Sequence, residues 1–454
     1  MIVMKFGGSS VESAAAITRV AGIVKARVGR RPVVVVSAMG KTTNRLLEIA
    51  ALAKQNRIDD ARQKAGELKT YHMVEARQLV ADASAVEAII DRHFAELDAM
   101  IQAIALLRDF PPSLIDAVSG LGERLSSQIV ALAFDKLGMP SAHVDSRDVI
   151  HTDDRHTQAA PLYPESYAKL KAVVAPLAET KVVVMGGFIG STLQGVPTTL
   201  GRGGSDFTAS IVGAGIDAEE IQIWTDVDGM LTCDPRIVPG GHLIKTISFE
   251  EAAELAYFGA KVLHPATVLP AVEKNIPVLV LNSRRPEVQG TRIVSESVPC
   301  RNIIKSIACK PNITVMKIHS LRMLMAHGFL RRIFEIFDRF ETPVDMLSTS
   351  EVSVSVTIDD ARHVEELRTE LEKFAEVEIE PQRALVCLVG DNIRGTAGVG
   401  VRIFRALQTV NVLMVSQGSS TLNFSFVIAA EDLKQAVQNL HAEFFADPDP
   451  EVFA

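Results

Sequence analysis

Four cysteines in 454 residues is little sulfur for a chain of this size, and Cys233, Cys300, Cys309 and Cys387 show no close metal-type spacing. Reduced structural thiols are the default, which sets a disulfide framework aside. Long apolar runs are also lacking. No stretch approaches the roughly 18 to 20 apolar residues of a membrane span, and no signal-peptide pattern precedes MIVMKFGG. No membrane association is expected, and the expected location is cytoplasmic. Positive charge is in deficit: 47 Lys and Arg against 55 Asp and Glu leave a net charge of −8, which argues against a nucleic-acid surface. A site for an anionic substrate must then supply its own local cations.

What is present is an ordinary soluble composition, 47% hydrophobic and 22% charged. The length exceeds that at which single cores stop growing, so two or three domains are expected. The most informative stretch is Val182 to Asp206, VVVMGGFIGSTLQGVPTTLGRGGSD. It opens as a β-branched strand, breaks at Gly186-Gly187, and reaches a glycine-dense loop carrying Arg202, Ser205 and Asp206 ahead of a helical pattern. Backbone N–H groups at such a helix start favour an anion. Arg202 and Asp206, four residues apart, suit a small zwitterion beside a phosphate. Taken alone, the loop also reads as a glycine-rich turn with a capping Asp.

The same grammar recurs along the chain. Met1 to Phe6 is a strand whose Lys5 runs into Gly7-Gly8-Ser9-Ser10 and a helical pattern, which resembles a phosphate cradle but lacks the GxxxxGK[ST] spacing. PVVVVS, ending at Ser37, opens into a small, hydroxylic turn that includes Thr43, where open α/β sheets place ligands. From Leu46 to about Arg108 the pattern is helical without visible chemistry, and His72 and His93 are read as solvated helix residues. Glu123 follows a glycine turn at the start of a helix. It is either a dipole-compensating residue or a carboxylate for a ligand ammonium. His151, His156, Asp153 and Asp154 lack the flanking geometry of a metal site, and no protein-held metal is expected. The strand IQIWT ends in Thr225-Asp226-Val227-Asp228-Gly229, with Arg236 downstream, a combination that fits a nucleotide and Mg2+. Strands separated by helices indicate a largely parallel sheet covered on both faces.

Five motifs in order carry a family resemblance: Lys5-Phe6-Gly7-Gly8-Ser9-Ser10, Gly187-Phe188-Ile189-Gly190, Thr199 to Asp206 (TLGRGGSD), Trp224 to Gly229 (WTDVDG) and Phe258 to Pro265 (FGAKVLHP). Together they resemble the aspartate kinases of the amino-acid kinase fold, over nearly the whole chain and most closely the monofunctional lysine-sensitive branch. The resemblance implies transfer of the γ-phosphoryl of Mg2+-bound ATP to the β-carboxylate of L-aspartate, the first step towards lysine, threonine and methionine. It further implies that Lys5, Gly7 and Gly8 hold the transferring group. Ser37, Thr43, Phe188 and Ser205 line the aspartate side, Glu123 and Asp206 accept its ammonium, and Arg202 takes its carboxylate. Thr225, Asp226, Leu231, Arg236 and Lys261 fall on the nucleotide side, with Leu231 standing where the family has a tyrosine. Glutamate or acetylglutamate kinase is the alternative within the fold.

After Val298-Pro299 an internal repeat appears at an offset of about 70 residues. Gly328 aligns with Gly398, Arg332-Ile333-Phe334 with Arg402-Ile403-Phe404, and Val352, Val354, Val356, Ile358 with Leu422, Phe424, Phe426, Ile428. Each copy reads as strand, helix, strand, strand, helix, strand, and the pair resembles tandem ferredoxin-like α+β ACT regulatory domains. The expected organisation is a catalytic domain at 1–298, a first ACT domain at 312–385, and a second made of 299–311 with 386–454. The resemblance implies a homo-oligomer formed through ACT domains and feedback inhibition by L-lysine, with threonine as the alternative effector. The implied effector residues are Met323, Phe329, Leu330, Val344, Asp345, Thr349, Ser350 and Glu351. Ala326 stands for a serine of that pattern, and Pro343 for a residue with a backbone N–H.

Overall fold

The β-branched and apolar runs IVMKF, PVVVV and VVVMG fold as fully buried strands, as a sheet covered on both faces requires. A computed structural model describes every residue except 81, 260–262 and 324–326. The chain divides into two units, Met1–Met230 with Val262–Ser295, and Leu231–Lys261 with Glu296–Ala454.

In the first unit the strands are β1 (Ile2–Phe6), β2 (Pro32–Val36), β3 (Ser141–Val144), β4 (Val182–Gly186), β7 (Glu220–Thr225), β9 (Val278–Asn282) and β10 (Thr291–Val294), in the order β3-β4-β2-β1-β7-β9-β10. All pairings are parallel except β9 with β10. A separate hairpin joins β5 (Ile189–Ser191) and β6 (Pro197–Thr199). Alternation along β1 shows the two covered faces. Ile2, Met4 and Phe6 share a core cluster with the helices Ala14–Lys25 and Leu121–Lys136, whereas Val3 faces Gly213 of the helix Gly204–Gly215. Phe6 stacks on Trp224 at 5.9 Å, tying β1 to β7. The expected long helical stretch is three helices, Thr42–Lys54, Ile58–Arg77 and Ser84–Leu107.

The second unit holds β8 (Thr246–Ser248) and a six-stranded antiparallel sheet made of β11 (Ile304–His319), β12 (Met346–Thr349), β13 (Ser353–Ile358), β14 (Glu376–Gly390), β15 (Met414–Ser416) and β16 (Asn423–Ala429). Its order is β12-β13-β11-β14-β16-β15. The order is symmetric about the β11/β14 pair because these two long strands are shared. The first half of β11 pairs with the second half of β14, which pairs with β16. The second half of β11 pairs with β13 and with the first half of β14. The sequence repeat has a structural counterpart: Gly328 and Gly398 both start helices from left-handed conformations, and Arg332 and Arg402 lie over Phe374 and Phe444.

Residues 231–261, expected within the N-terminal catalytic domain, pack here with the C-terminal unit. The Ser306 hydroxyl donates to the Leu231 carbonyl, Thr232 Oγ1 lies 2.9 Å from His441 Nε2, and Lys305 forms a fully buried ion pair with Glu251 at 2.8 Å. Among the described residues no helix is long and apolar enough to cross a membrane.

Candidate active site

The ends of β1, β2 and β4 and the start of the helix Gly204–Gly215 bring most of the expected site residues together. That helix begins from Gly203, whose φ of 72° is a left-handed conformation that glycine takes without strain. Asp206 falls in its first turn and meets the ammonium of Lys5, Nζ to Oδ1 at 2.6 Å. Lys5 is largely buried, so a cation is held at the helix N-terminus with one carboxylate for company. Gly7 donates its N–H to the Trp224 carbonyl, and Gly40 donates to that of Gly8, which closes the two glycine turns on one another.

Beside this pair, Ser37 donates to Ser205 Oγ at 2.9 Å, and the Ser126 hydroxyl anchors the Ser37 carbonyl. Gly187 allows the approach of the two segments: a Cβ there would lie 2.7 Å from Ser205 Cβ. Phe188 takes a left-handed φ of 68°, its N–H held by Thr208 Oγ1, and its ring borders Gly204. A non-glycine residue in that conformation is strained, and strain of this kind persists where the surroundings over-determine it.

Glu123 closes the same region, packed against Gly186 and almost wholly buried. Burial pushes its carboxyl up to about 8, against the opposing backbone N–H of Ala38. Its Oε2 is enclosed without a hydrogen-bond partner. A buried acceptor in that state is costly, and a ligand cation would relieve it. Thr43 lies in the first turn of the helix Thr42–Lys54 and is half-buried. Arg202 is exposed and makes no ion pair among the described residues.

Thr225 ends β7, one residue past the carbonyl that receives the Gly7 N–H, and its own hydroxyl contacts Asp226 at 3.3 Å. Asp228 is engaged by Asn282 and Arg285. Of the other residues expected on the nucleotide side, Leu231 and Arg236 belong to the second unit, where Arg236 is exposed and chelated by Asp234 at 2.6 Å, and Lys261 lies outside the described residues.

One reading from sequence changes. His72 and His93 are buried rather than solvated, because both sit at helix–helix contacts. The His72 Nδ1 lies 2.8 Å from the Leu68 carbonyl, and burial lowers its pKa to about 4. His156 has a structural partner, Asp116, at 2.7 Å. Asp116 itself carried no motif; a lone acid inside the otherwise apolar run of SLIDAVSG was the available signal.

In the second unit, of the residues expected to hold an effector, Val344 and Asp345 precede β12, Thr349 ends it, Ser350 and Glu351 follow it, and Phe329 and Leu330 open the helix Phe329–Arg339. Met323, Phe329 and Val344 pack against the local core, while Leu330, Thr349, Ser350 and Glu351 are exposed. Asp345 is already paired with Lys310 at 2.7 Å, and Lys310 also reaches Asp359 and the Tyr257 ring. Ala326 lies outside the described residues.

Comparison with known proteins follows this geometry. The profile of the amino acid kinase family matches residues 1–282, and an ACT domain profile matches residues 386–444. The chain is 37% identical to aspartokinase 2, chloroplastic, of Arabidopsis thaliana over 99% of its own length and 85% of the relative. It is 36% identical to lysine-sensitive aspartokinase 3 of Escherichia coli K12, over 98% of this chain and 99% of that one. The crystal structure of E. coli aspartokinase III in complex with aspartate and ADP superposes with a TM-score of 0.83 at 34% identity, covering 98% of this chain and all 100% of that one. The complex with lysine and aspartate gives 0.87 at 35% identity, over 98% and 99%.

Proposed function

The chain belongs to the amino acid kinase family and within it to the aspartokinases, ATP-dependent kinases of aspartate, and from that premise we propose how its residues divide the work. ATP arrives as its Mg2+ complex. Lys5 and the N–H groups of Gly7 and Gly8 meet the transferring phosphoryl group, and Thr225 and Asp226 border the nucleotide; a nucleotide role for Leu231, Arg236 and Lys261 rests on the family resemblance alone. L-Aspartate is held by Arg202 at its α-carboxylate and by Glu123 and Asp206 at its ammonium, with Ser37, Thr43, Phe188 and Ser205 around it. The nucleophile is the β-carboxylate, already ionised, so no general base is required. Transfer then depends on alignment and on neutralising charge between the two anions.

The observation that carries this reading is the buried Glu123 Oε2 without a hydrogen-bond partner, on a residue that packs against Gly186 at the end of β4. An acceptor so placed calls for a ligand cation. Succinate tests it, since it keeps both carboxylates and lacks the ammonium. It is expected to bind about tenfold or more weakly than aspartate, the size of a lost charge-assisted hydrogen bond. Glu123→Gln should shrink that discrimination; equal discrimination in the variant would remove Glu123 from the substrate.

For regulation, we read the six-stranded sheet as two ACT domains, 312–385 and 299–311 with 386–454, and the effector as L-lysine. The support is chemical. Asp345 and Glu351 suit ammonium groups, Thr349 and Ser350 a carboxylate, and Met323, Phe329, Leu330 and Val344 an aliphatic stem. Because Lys310 already pairs with Asp345, the effector shares that carboxylate and relies more on Glu351. Exposed Leu347 on β12 and Val415 on β15, both edge strands, favour a second copy covering the sheet edge. The working location is the cytoplasm. Titrating lysine with and without saturating aspartate tests the coupling: aspartate must weaken lysine binding by the factor with which lysine weakens aspartate binding. Identical lysine affinities in both titrations would exclude it.

A further inference from the structure

Asp116 takes no part in the chemistry above, yet both of its carboxylate oxygens are met by donors. It lies in the helix Pro112–Ser119 with its side chain wholly enclosed. Three separate donors converge on it: Thr199 Oγ1 at 2.5 Å from Oδ1, the Thr157 N–H at 3.0 Å from both oxygens, and His156 Nδ1 at 2.7 Å from Oδ2. A buried charge is tolerated only when its lone pairs are met in this way. Each donor brings a different piece of chain to the same point.

Those pieces border the loop that carries Arg202. Thr199 ends β6, three residues ahead of the arginine. Thr157 sits in a left-handed conformation, φ 70°, which the two bonds from its N–H to Asp116 help to hold. Its carbonyl then backs Gly201 so closely that a Cβ there would lie 3.2 Å away. Ala159 N–H bonds the Thr199 carbonyl at 2.9 Å, so residues 157–159 form a splint along 199–201, and Leu200 N–H ties the other side to the Phe188 carbonyl. Arg202 emerges between Gly201 and Gly203, both left-handed, and among the described residues its side chain has no partner to steer it. The direction of the guanidinium is therefore set by where the Thr199 end of the loop is fixed.

We propose that Asp116, through Thr199 and Thr157, is a positioning residue for substrate specificity. It fixes the 199–203 loop so that the guanidinium of Arg202 presents its planar fork to the α-carboxylate of aspartate. The inference rests on the reading of Arg202 as that contact. A misaimed arginine loses the paired geometry that makes guanidinium–carboxylate bonds strong, while the phosphoryl side, built on β1, is untouched.

The experiment uses the full-length chain and four substitutions, Asp116→Asn, Thr199→Val, Thr199→Ser and Arg202→Ala, with KM for aspartate and for ATP and a thermal midpoint for each. Asp116→Asn and Thr199→Val are expected to raise the aspartate KM about tenfold, from loss of one charge-assisted bond, and to leave the ATP KM in place. Thr199→Ser, which keeps the hydroxyl, recovers most of the loss. Combined with Arg202→Ala, Asp116→Asn adds nothing further, as expected for two residues acting through one contact. Should Asp116→Asn fail to fold, Thr199→Val decides alone, since it leaves every backbone tie intact. An unchanged aspartate KM in folded Thr199→Val, an equal rise in both KM values, or full additivity with Arg202→Ala would overturn the proposal while leaving the substrate reading standing. An aspartate KM unmoved by Arg202→Ala itself would overturn both.

Discussion

Lys5 Nζ and Asp206 Oδ1 lie 2.6 Å apart, one on the buried strand β1 and the other in the first turn of the helix Gly204–Gly215. The contact holds a flexible side chain at one point and joins the two halves of the proposed site, phosphoryl side to substrate side. It also stores a neutral pair where two anions must meet. Under the proposed division of the site, an aspartate ammonium meeting Asp206 would free Lys5 to face the phosphoryl group.

Arg202→Lys keeps the charge and loses the planar fork. A bidentate contact to the substrate carboxylate should weaken by roughly 1 to 3 kcal/mol, read as a raised aspartate KM with the ATP KM steady. A shift confined to the ATP KM would assign Arg202 to the other ligand.

Glu123 predicts a pH dependence. Burial pushes its carboxyl up to about 8, so below that pH it is mostly neutral. Pairing with an ammonium requires the anion, and binding aspartate then releases a proton. The aspartate KM should fall as pH rises towards about 8 and level off above it, with a slope of at most about tenfold per pH unit. Steady-state kinetics between pH 6 and 9 measure this. A flat profile, or the same slope in Glu123→Gln, contradicts the assignment.

In the second unit, Lys305 and Glu251 are fully buried, and Glu251 also caps the helix Phe249–Tyr257 through the Ser248 N–H. Lys305→Met leaves a buried carboxylate without its cation, and about 3 to 5 kcal/mol of stability should be lost. Adding Glu251→Gln restores part of it, because no bare charge remains. Urea unfolding of the three proteins gives the comparison, and a single variant as stable as the parent would mean that water reaches the pair.

How much of this was legible follows from where each residue sits. Lys5, Gly7, Gly8, Ser37, Glu123, Phe188, Ser205 and Asp206 stand at strand ends or glycine breaks, and local pattern finds those. Asp116 showed in sequence only as a lone acid in an apolar run, because its partners are supplied by residues 156, 157 and 199, a meeting that only tertiary folding decides. His72 and His93 were misread for the same reason: burial at those positions comes from packing against neighbouring helices. The 70-residue repeat gave two similar copies but not the sharing of β11 and β14 between them, and the packing of 231–261 with the C-terminal unit leaves no local trace in sequence. It is set by side chains such as Lys305 and His441, far along the chain.

The most direct test of the proposed chemistry is phosphorus NMR of the product, with Mg2+, ATP and either L-aspartate or L-glutamate, in the parent protein and in Lys5→Ala. The expected result is an acyl phosphate formed with aspartate and not with glutamate. In folded Lys5→Ala its formation should slow by about 10²- to 10³-fold, the scale for removing one preorganised charge contact. Comparable product from glutamate, or near-parental turnover in Lys5→Ala, would contradict the assignment of this site to phosphoryl transfer onto aspartate.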